Sequence, residues 1–259
     1  MLEIQKKNGY TCNDLEEIMA ILRSENGCPW DREQTHSSIK RNFIEEVYEA
    51  VEAIETDDPA LLCEELGDVL LQVVFHAQMA KEAARFSFDD VVSGICKKLI
   101  LRHPHIFSDT KVSGTSEVLA NWEDIKNASK DVHTVTESME RVAKPLPALI
   151  RAEKVQAKAQ KAGFDFPSLQ DALDKVEEET LELRSAPDRE ESLSEYGDLL
   201  FSVVNLSRFL DCDPEATLTS ATNKFIDRFS KVEEAVLLSG RKLPDVPLAE
   251  LEAYWQAAK

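Results

Sequence analysis

Two twelve-residue stretches constrain this chain more than any others: EELGDVLLQVVF at residues 64–75 and SEYGDLLFSVVN at 194–205. In the first, Val69, Leu70, Leu71, Val73, Val74 and Phe75 spread around nearly the whole helical wheel, which predicts a buried helix. Glu65 and Asp68 enter that burial three residues apart, on one helical face. Carboxylates desolvated so close together cost on the order of several kcal/mol unless a positive charge offsets them. Glu195 and Asp198 repeat the arrangement, so the sequence asks for a cation twice.

The surrounding elements recur as well. The first half reads CPWD, FIEEVYEAVEAI, a break at TDDPA, EELGDVLLQVVF, KKLILR and NWEDIK. The second reads GFDF, KVEEETLEL, a break at SAPD, SEYGDLLFSVV, NKFIDR and YWQAAK. Six elements in one order predict a tandem duplication. Apolar spacing predicts helices over 14–24, 39–55, 61–84, 88–102, 169–184, 192–210 and 215–238, with no competing strand signal. Asp58-Pro59 and Asp213-Pro214 each read as an N-cap followed by proline at the first helical position. The expected organisation is an N-terminal helical domain at 1–130, a linker at 131–145 and a C-terminal helical domain at 146–259.

Composition agrees and excludes some partners. Only 8 of 259 residues are glycine, which favours helix over sheet. A net charge of −19 argues against nonspecific binding to nucleic acid or to an anionic membrane. An acidic protein that handles phosphates needs metal ions as intermediaries. The segment MLEIQKKNGY lacks the apolar core of a signal peptide and no apolar run reaches spanning length, so a cytoplasmic location is expected. Cys12, Cys28, Cys63, Cys96 and Cys212 are scattered and form no CxxC pair, as expected of reduced structural thiols.

The acidic residues form a constellation. Glu45-Glu46-x-x-Glu49 precedes the first break and Glu65-x-x-Asp68 follows it; Glu178-Glu179-x-x-Glu182 and Glu195-x-x-Asp198 occupy the same places in the second half. A short connection makes each helix pair antiparallel, so the acidic faces can converge. A lone EExxE is ordinarily a solvated helix face. Here ExxD opens an apolar helix, and the whole arrangement occurs twice. All-oxygen ligands suit a hard cation, Mg²⁺ or Mn²⁺, shared with substrate phosphates. Gly67 and Gly197 each cost about 1 kcal/mol relative to Ala within a helix, which close helix packing or close ligand approach would justify.

Lys98-x-x-x-Arg102 and Lys224-x-x-x-Arg228 place two cations on one helical face, and Lys126 and Lys259 follow tryptophans. Such groups either solubilise a helix or grip a polyphosphate beside metals. There is no GxxxxGK[ST] or GxGxxG, so no glycine-rich loop cradles a nucleotide. Glu33-x-x-His36 matches the ExxH of di-iron carboxylate bundles and keeps a redox protein as a rival, although it has no counterpart in the second half. His103 and His105 flank a proline and make weak metal candidates; His76 reads as a satisfied core histidine.

With GCPWDREQTH, EExxE, ExxD, RHPHIF and WEDIK in this order, the chain resembles MazG-type nucleoside triphosphate pyrophosphohydrolases over essentially its full length. The resemblance implies an all-α fold of two tandem helical bundles, assembled as a homodimer. It also implies Mg²⁺-dependent hydrolysis of an NTP or dNTP to monophosphate and pyrophosphate, a housecleaning activity on the nucleotide pool. Carried over, the metal ligands are Glu179, Glu182, Glu195 and Asp198, with first-half counterparts Glu46, Glu49, Glu65 and Asp68. Glu179 or Glu182 would orient or deprotonate the attacking water, and Lys224 and Arg228 would stabilise the leaving pyrophosphate. Lys98, Arg102 and Lys126 would hold phosphates in the first half.

The halves differ. Asn205, two turns beyond Asp198, places an amide where it can read a base or sugar hydroxyl, while Phe75 stands there in the first half. The resemblance leans toward the second half as the main catalytic domain, with two active domains as the other possibility. A noncatalytic nucleotide-binding scaffold remains the other class of function.

Overall fold

The computed structural model describes residues 7–108, 114, 118, 122, 125 and 132–259. Among them all regular structure is helical, in accord with the low glycine content and the 3.6-residue spacing. The chain divides into two compact units, Met1–Lys126 and Asn127–Lys259. Lys126 and Asp131 fall outside the described residues.

The first unit runs α1 (Cys12–Leu22), α2 (Pro29–Glu33), α3 (Lys40–Glu55), α4 (Pro59–Glu82), α5 (Phe88–Arg102) and α6 (Pro104–Phe107). Thr11 and Asp14 close a capping box on α1, and Ser87 and Asp90 close one on α5. The turn between α3 and α4 is tight. Asp57 takes a positive φ of 53°, and Asp58 accepts from the amides of Ala60 and Leu61, 3.0 Å each. That turn folds α4 back along α3. Met19, Ile39, Val74, Phe75, Ala77, Met79 and Phe88 form the core between α1, α4 and α5.

The second unit runs α7 (Val135–Glu140), α8 (Ala148–Lys161), α9 (Leu169–Ser185), α10 (Arg189–Phe209), α11 (Pro214–Leu238), a 3-10 turn (Leu243–Asp245) and α12 (Leu248–Ala257). Asp188 caps α10 through the amides of Glu190 and Glu191, at 2.8 and 3.0 Å. Helix α9 lies along α10, and α8 packs on both α10 and α11. Gln156 of α8 ties the layers together by donating from Nε2 to the carbonyl of Phe201, 2.7 Å away.

Two expectations change. Residues 148–161 and 248–257 are helices that apolar spacing did not single out, and α7 lies inside the 131–145 stretch read as a linker. The inner side of α8 is built from Ala152, Val155, Gln156 and Ala159, too small or too polar for a strong periodic signal. The apolar helices are also less buried than their wheels imply. Helix α4 buries Gln72, Val74, Phe75 and Ala77–Ala80, but Leu66 at its start is exposed. Helix α10 buries only Val204 and Ser207 and leaves Leu200, Phe201 and Val203 43–45% exposed.

Candidate functional site

Helix pairing brings three glutamates of each half together. In the second unit Glu179 and Glu182 of α9 meet Glu195 of α10, with one carboxylate oxygen of each within 4.8 Å of the others. Glu46 and Glu49 of α3 meet Glu65 of α4 in the same way. Asp68 and Asp198 stand outside these three-membered sets but act on them electrostatically. Burial, then the charges of Glu182, Asp198 and Glu179, push the Glu195 carboxyl above its usual range. Burial and then Asp68 and Glu49 push Glu46 up; burial and then Glu49 and Asp68 do the same to Glu65. The second residue of each EE pair points inward. Glu45 instead pairs with Arg41 at 2.8 Å on the outer surface, and Glu178 with Lys175 at 2.8 Å.

The two sets are compensated differently. Lys175 Nζ lies 2.7 Å from Glu179, which is only 5% exposed. Hydrogen bonds to Glu178 and then Glu179 hold the ammonium above its usual range. Asn42 occupies the matching position before Glu46. There Gln72, itself 7% exposed, donates from Nε2 to Glu46 over 3.4 Å, and its Oε1 has no partner. A neutral amide cannot balance three carboxylates. Both sets therefore fit a small hard cation, since their donors are all oxygens and their charge is under-compensated.

Beside the second set opens a cavity of about 590 Å³, of a size that suits a small-molecule ligand. Lys175, Glu179, Asp198, Asp165, Phe164 and Asn205 are among the residues that line it. Phe164 is 85% exposed, on a turn where Gly163 has φ +86°. Asn205 Oδ1 accepts from Arg208 Nη2 at 2.9 Å, and Arg208 Nη1 is paired with Asp165.

In the first unit the place of Asn205 is taken by Phe75, which is 4% exposed. Trp30 meets its ring edge-on at 6.5 Å, and the Arg23 guanidinium lies 5.4 Å from the ring centre. Behind it His36 and His76 stack, with Nδ1 atoms 2.8 Å apart. Thus His36 faces a histidine, and neither it nor Glu33 joins a carboxylate set among the described residues. Burial and the His36 charge lower the His76 pKa. His103 and His105 sit 5.7 Å apart, the former bonded to the Leu99 carbonyl.

The basic pairs are ordered by tryptophans. Arg102 lies 5.0 Å from the Trp122 ring centre and Arg228 lies 4.7 Å from that of Trp255, while Lys98 and Lys224 are exposed. Among the described residues no ion pair joins these four to the glutamates. Lys126 lies outside the described residues. Sequence reading missed Lys175, Asp165, Arg208 and Gln72. The first was detectable as a lysine four residues before Glu179, on the same helical face; the others depend on tertiary packing.

The sequence profile of the MazG nucleotide pyrophosphohydrolase domain matches residues 34–107, which include the first carboxylate set. A Thermotoga maritima protein described as nucleoside triphosphate pyrophosphohydrolase/pyrophosphatase MazG is 45% identical over 254 residues, 98% of each chain. A nucleoside triphosphate pyrophosphohydrolase of Escherichia coli is 41% identical over 256 residues, covering 95% of this chain and 97% of its own. An uncharacterised Bacillus subtilis protein, YabN, is 46% identical over 246 residues, which make up 93% of this chain and 50% of that one.

Proposed function

The chain belongs to the MazG nucleotide pyrophosphohydrolase family, and from that premise we propose how its own residues split a nucleoside triphosphate into monophosphate and pyrophosphate. The second unit carries the reaction. The observation that supports this is the cavity lined by Glu179 and Asp198 together with Phe164, Phe201 and Asn205, which offers carboxylates, apolar rings and an amide in one space. A triphosphate with divalent cations suits the carboxylates, and a nucleoside suits the rings and the amide.

Glu179, Glu182, Glu195 and Asp198 would hold Mg²⁺, with Mn²⁺ as a substitute, and the first-unit counterparts Glu46, Glu49, Glu65 and Asp68 would do the same. A cation held there would supply charge neutralisation along the phosphate chain and a lowered pKa for the attacking water. Glu179 or Glu182 orients that water and takes its proton. The water oxygen bonds to the α-phosphorus, the bond from that phosphorus to the α,β-bridging oxygen breaks, and pyrophosphate departs with the electron pair. Lys224 and Arg228, with the guanidinium fixed over Trp255, offer positive charge to the leaving group. Lys98 and Arg102 have the corresponding place in the first unit. Lys126 is proposed there too, on sequence position alone.

The same reading takes the two units as products of a duplication and takes the assembly as a homodimer. Leu200 and Val203 on α10 are exposed apolar side chains that a second copy would cover. Among the described residues, a Cβ at Gly67 or Gly197 meets nothing within 4 Å. The reaction is tested by hydrolysis in ¹⁸O-labelled water. Label in the monophosphate supports attack at the α-phosphorus, and label in pyrophosphate or orthophosphate refutes it.

A further inference from the structure

We propose that Arg208 is a positioning residue for nucleoside recognition: it turns the Asn205 amide so that the cavity meets a hydrogen-bond donor, while neutralising Asp165 at the same wall. The inference rests on the reading of the second unit's cavity as the nucleoside site.

The geometry leaves one orientation for the amide. A guanidinium only donates hydrogen bonds. The Asn205 atom 2.9 Å from Arg208 Nη2 must therefore be the oxygen, and the amide NH₂ is left for the cavity that Asn205 lines. Arg208 cannot swing away easily. Its Nη1 is engaged by Asp165, its Cζ lies 4.4 Å from the Phe209 ring centre, and its side chain is only 17% exposed. One planar fork thus clamps an amide on α10 and a carboxylate on the turn before α9.

Both partners line the cavity, and each would harm substrate binding if released. A free Asn205 amide presents oxygen and nitrogen alternately, so it favours no acceptor on the nucleoside. An unpaired Asp165 carboxylate repels a polyanionic ligand. The clamp belongs to this unit only, because Phe75 and Gln78 stand at the positions matching Asn205 and Arg208. Gln78 bonds Glu82 instead, at 2.9 Å. The nucleoside group that Asn205 meets is accordingly an acceptor, a base carbonyl or ring nitrogen or a sugar oxygen.

The test is steady-state kinetics of the full chain with Mg²⁺ and the four common NTPs and dNTPs, for Arg208→Met, Arg208→Lys, Asn205→Ala and the Arg208→Met/Asn205→Ala pair. The clamp predicts that Arg208→Met raises KM about tenfold with kcat within about twofold, since a ground-state contact is lost. It also narrows the spread of kcat/KM across bases. Arg208→Lys, which keeps a donor and the charge, gives an intermediate KM. In the Asn205→Ala background Arg208→Met adds at most about threefold, the residue of Asp165 repulsion. Full additivity, or an unchanged KM in both Arg208 variants with native melting temperatures, overturns the assignment and leaves the reaction itself standing. If the parent protein releases no pyrophosphate from any nucleotide, the functional reading fails and this inference fails with it.

Discussion

Lys175 Nζ lies 2.7 Å from Glu179 and 2.8 Å from Glu178, so the second carboxylate set carries its own cation on the helix that supplies two of its ligands. Among the described residues, the first set has only the Gln72 amide. A metal arriving at Glu179 therefore relieves a charge that Lys175 already part-balances.

Removing that ammonium shifts the burden to the metal. Lys175→Met is expected to lower the stability of metal-free protein by about 2 kcal/mol at neutral pH. The rise in melting temperature on adding Mg²⁺ should exceed that of the parent. Thermal melts with Mg²⁺ and with chelator measure both; an identical Mg²⁺ shift would show that Lys175 and the metal do not share Glu179.

Stability should respond to pH in two opposite ways. Glu46, Glu65 and Glu195 have raised folded-state pKa values, so the folded protein holds their protons more tightly than the unfolded chain. Their contribution is fully favourable below the unfolded carboxylate value and is lost as pH rises through the raised ones. Glu82 and Glu250, bonded to Arg23 and Arg241, have lowered values. Their contribution is present above the unfolded value and is lost as pH falls through the lowered ones. Mg²⁺ stabilisation should thus be large at pH 7.5 and vanish near pH 4. Equal Mg²⁺ shifts at the two pH values would contradict the ionised-cluster account.

Arg23 holds the first unit's loop to its core. Its side chain is 7% exposed; it donates to Glu82 at 2.8–3.1 Å and to the carbonyls of Asp31 and Gln34. Arg23→Met removes the charged partner of Glu82, which keeps only the Gln78 amide, and should cost about 3 kcal/mol in denaturant unfolding. A loss below about 1 kcal/mol would mean that water replaces the guanidinium without penalty.

The two units should answer differently to the same chemical change. Glu179→Gln and Asp198→Asn are expected to reduce turnover at least about 100-fold while melting as the parent does. Glu46→Gln and Asp68→Asn should leave most turnover intact, because buried Phe75, under Trp30, takes the place of Asn205 in that unit. Loss of turnover in the Glu46 and Asp68 variants alone would reverse the assignment.

Much of this was legible in the sequence. Helix content, the aspartate caps at Asp58 and Asp213, and the convergence of Glu46, Glu49 and Glu65 or Glu179, Glu182 and Glu195 follow from spacing alone. Helices α8 and α12 were not legible, since α8 packs through alanines and Gln156 rather than large apolar residues. Periodicity also overstated the burial of α10: a helical wheel counts apolar faces without saying what covers them. The Asp165–Arg208–Asn205 clamp lay beyond reach, because it joins residues 43 positions apart through a fold-dependent turn.

The most direct measurement is product analysis with NTPs and dNTPs in Mg²⁺, with and without chelator. The account predicts monophosphate and pyrophosphate in equal amounts, abolished by chelation. Diphosphate with orthophosphate would place the attack on the γ-phosphorus and contradict it.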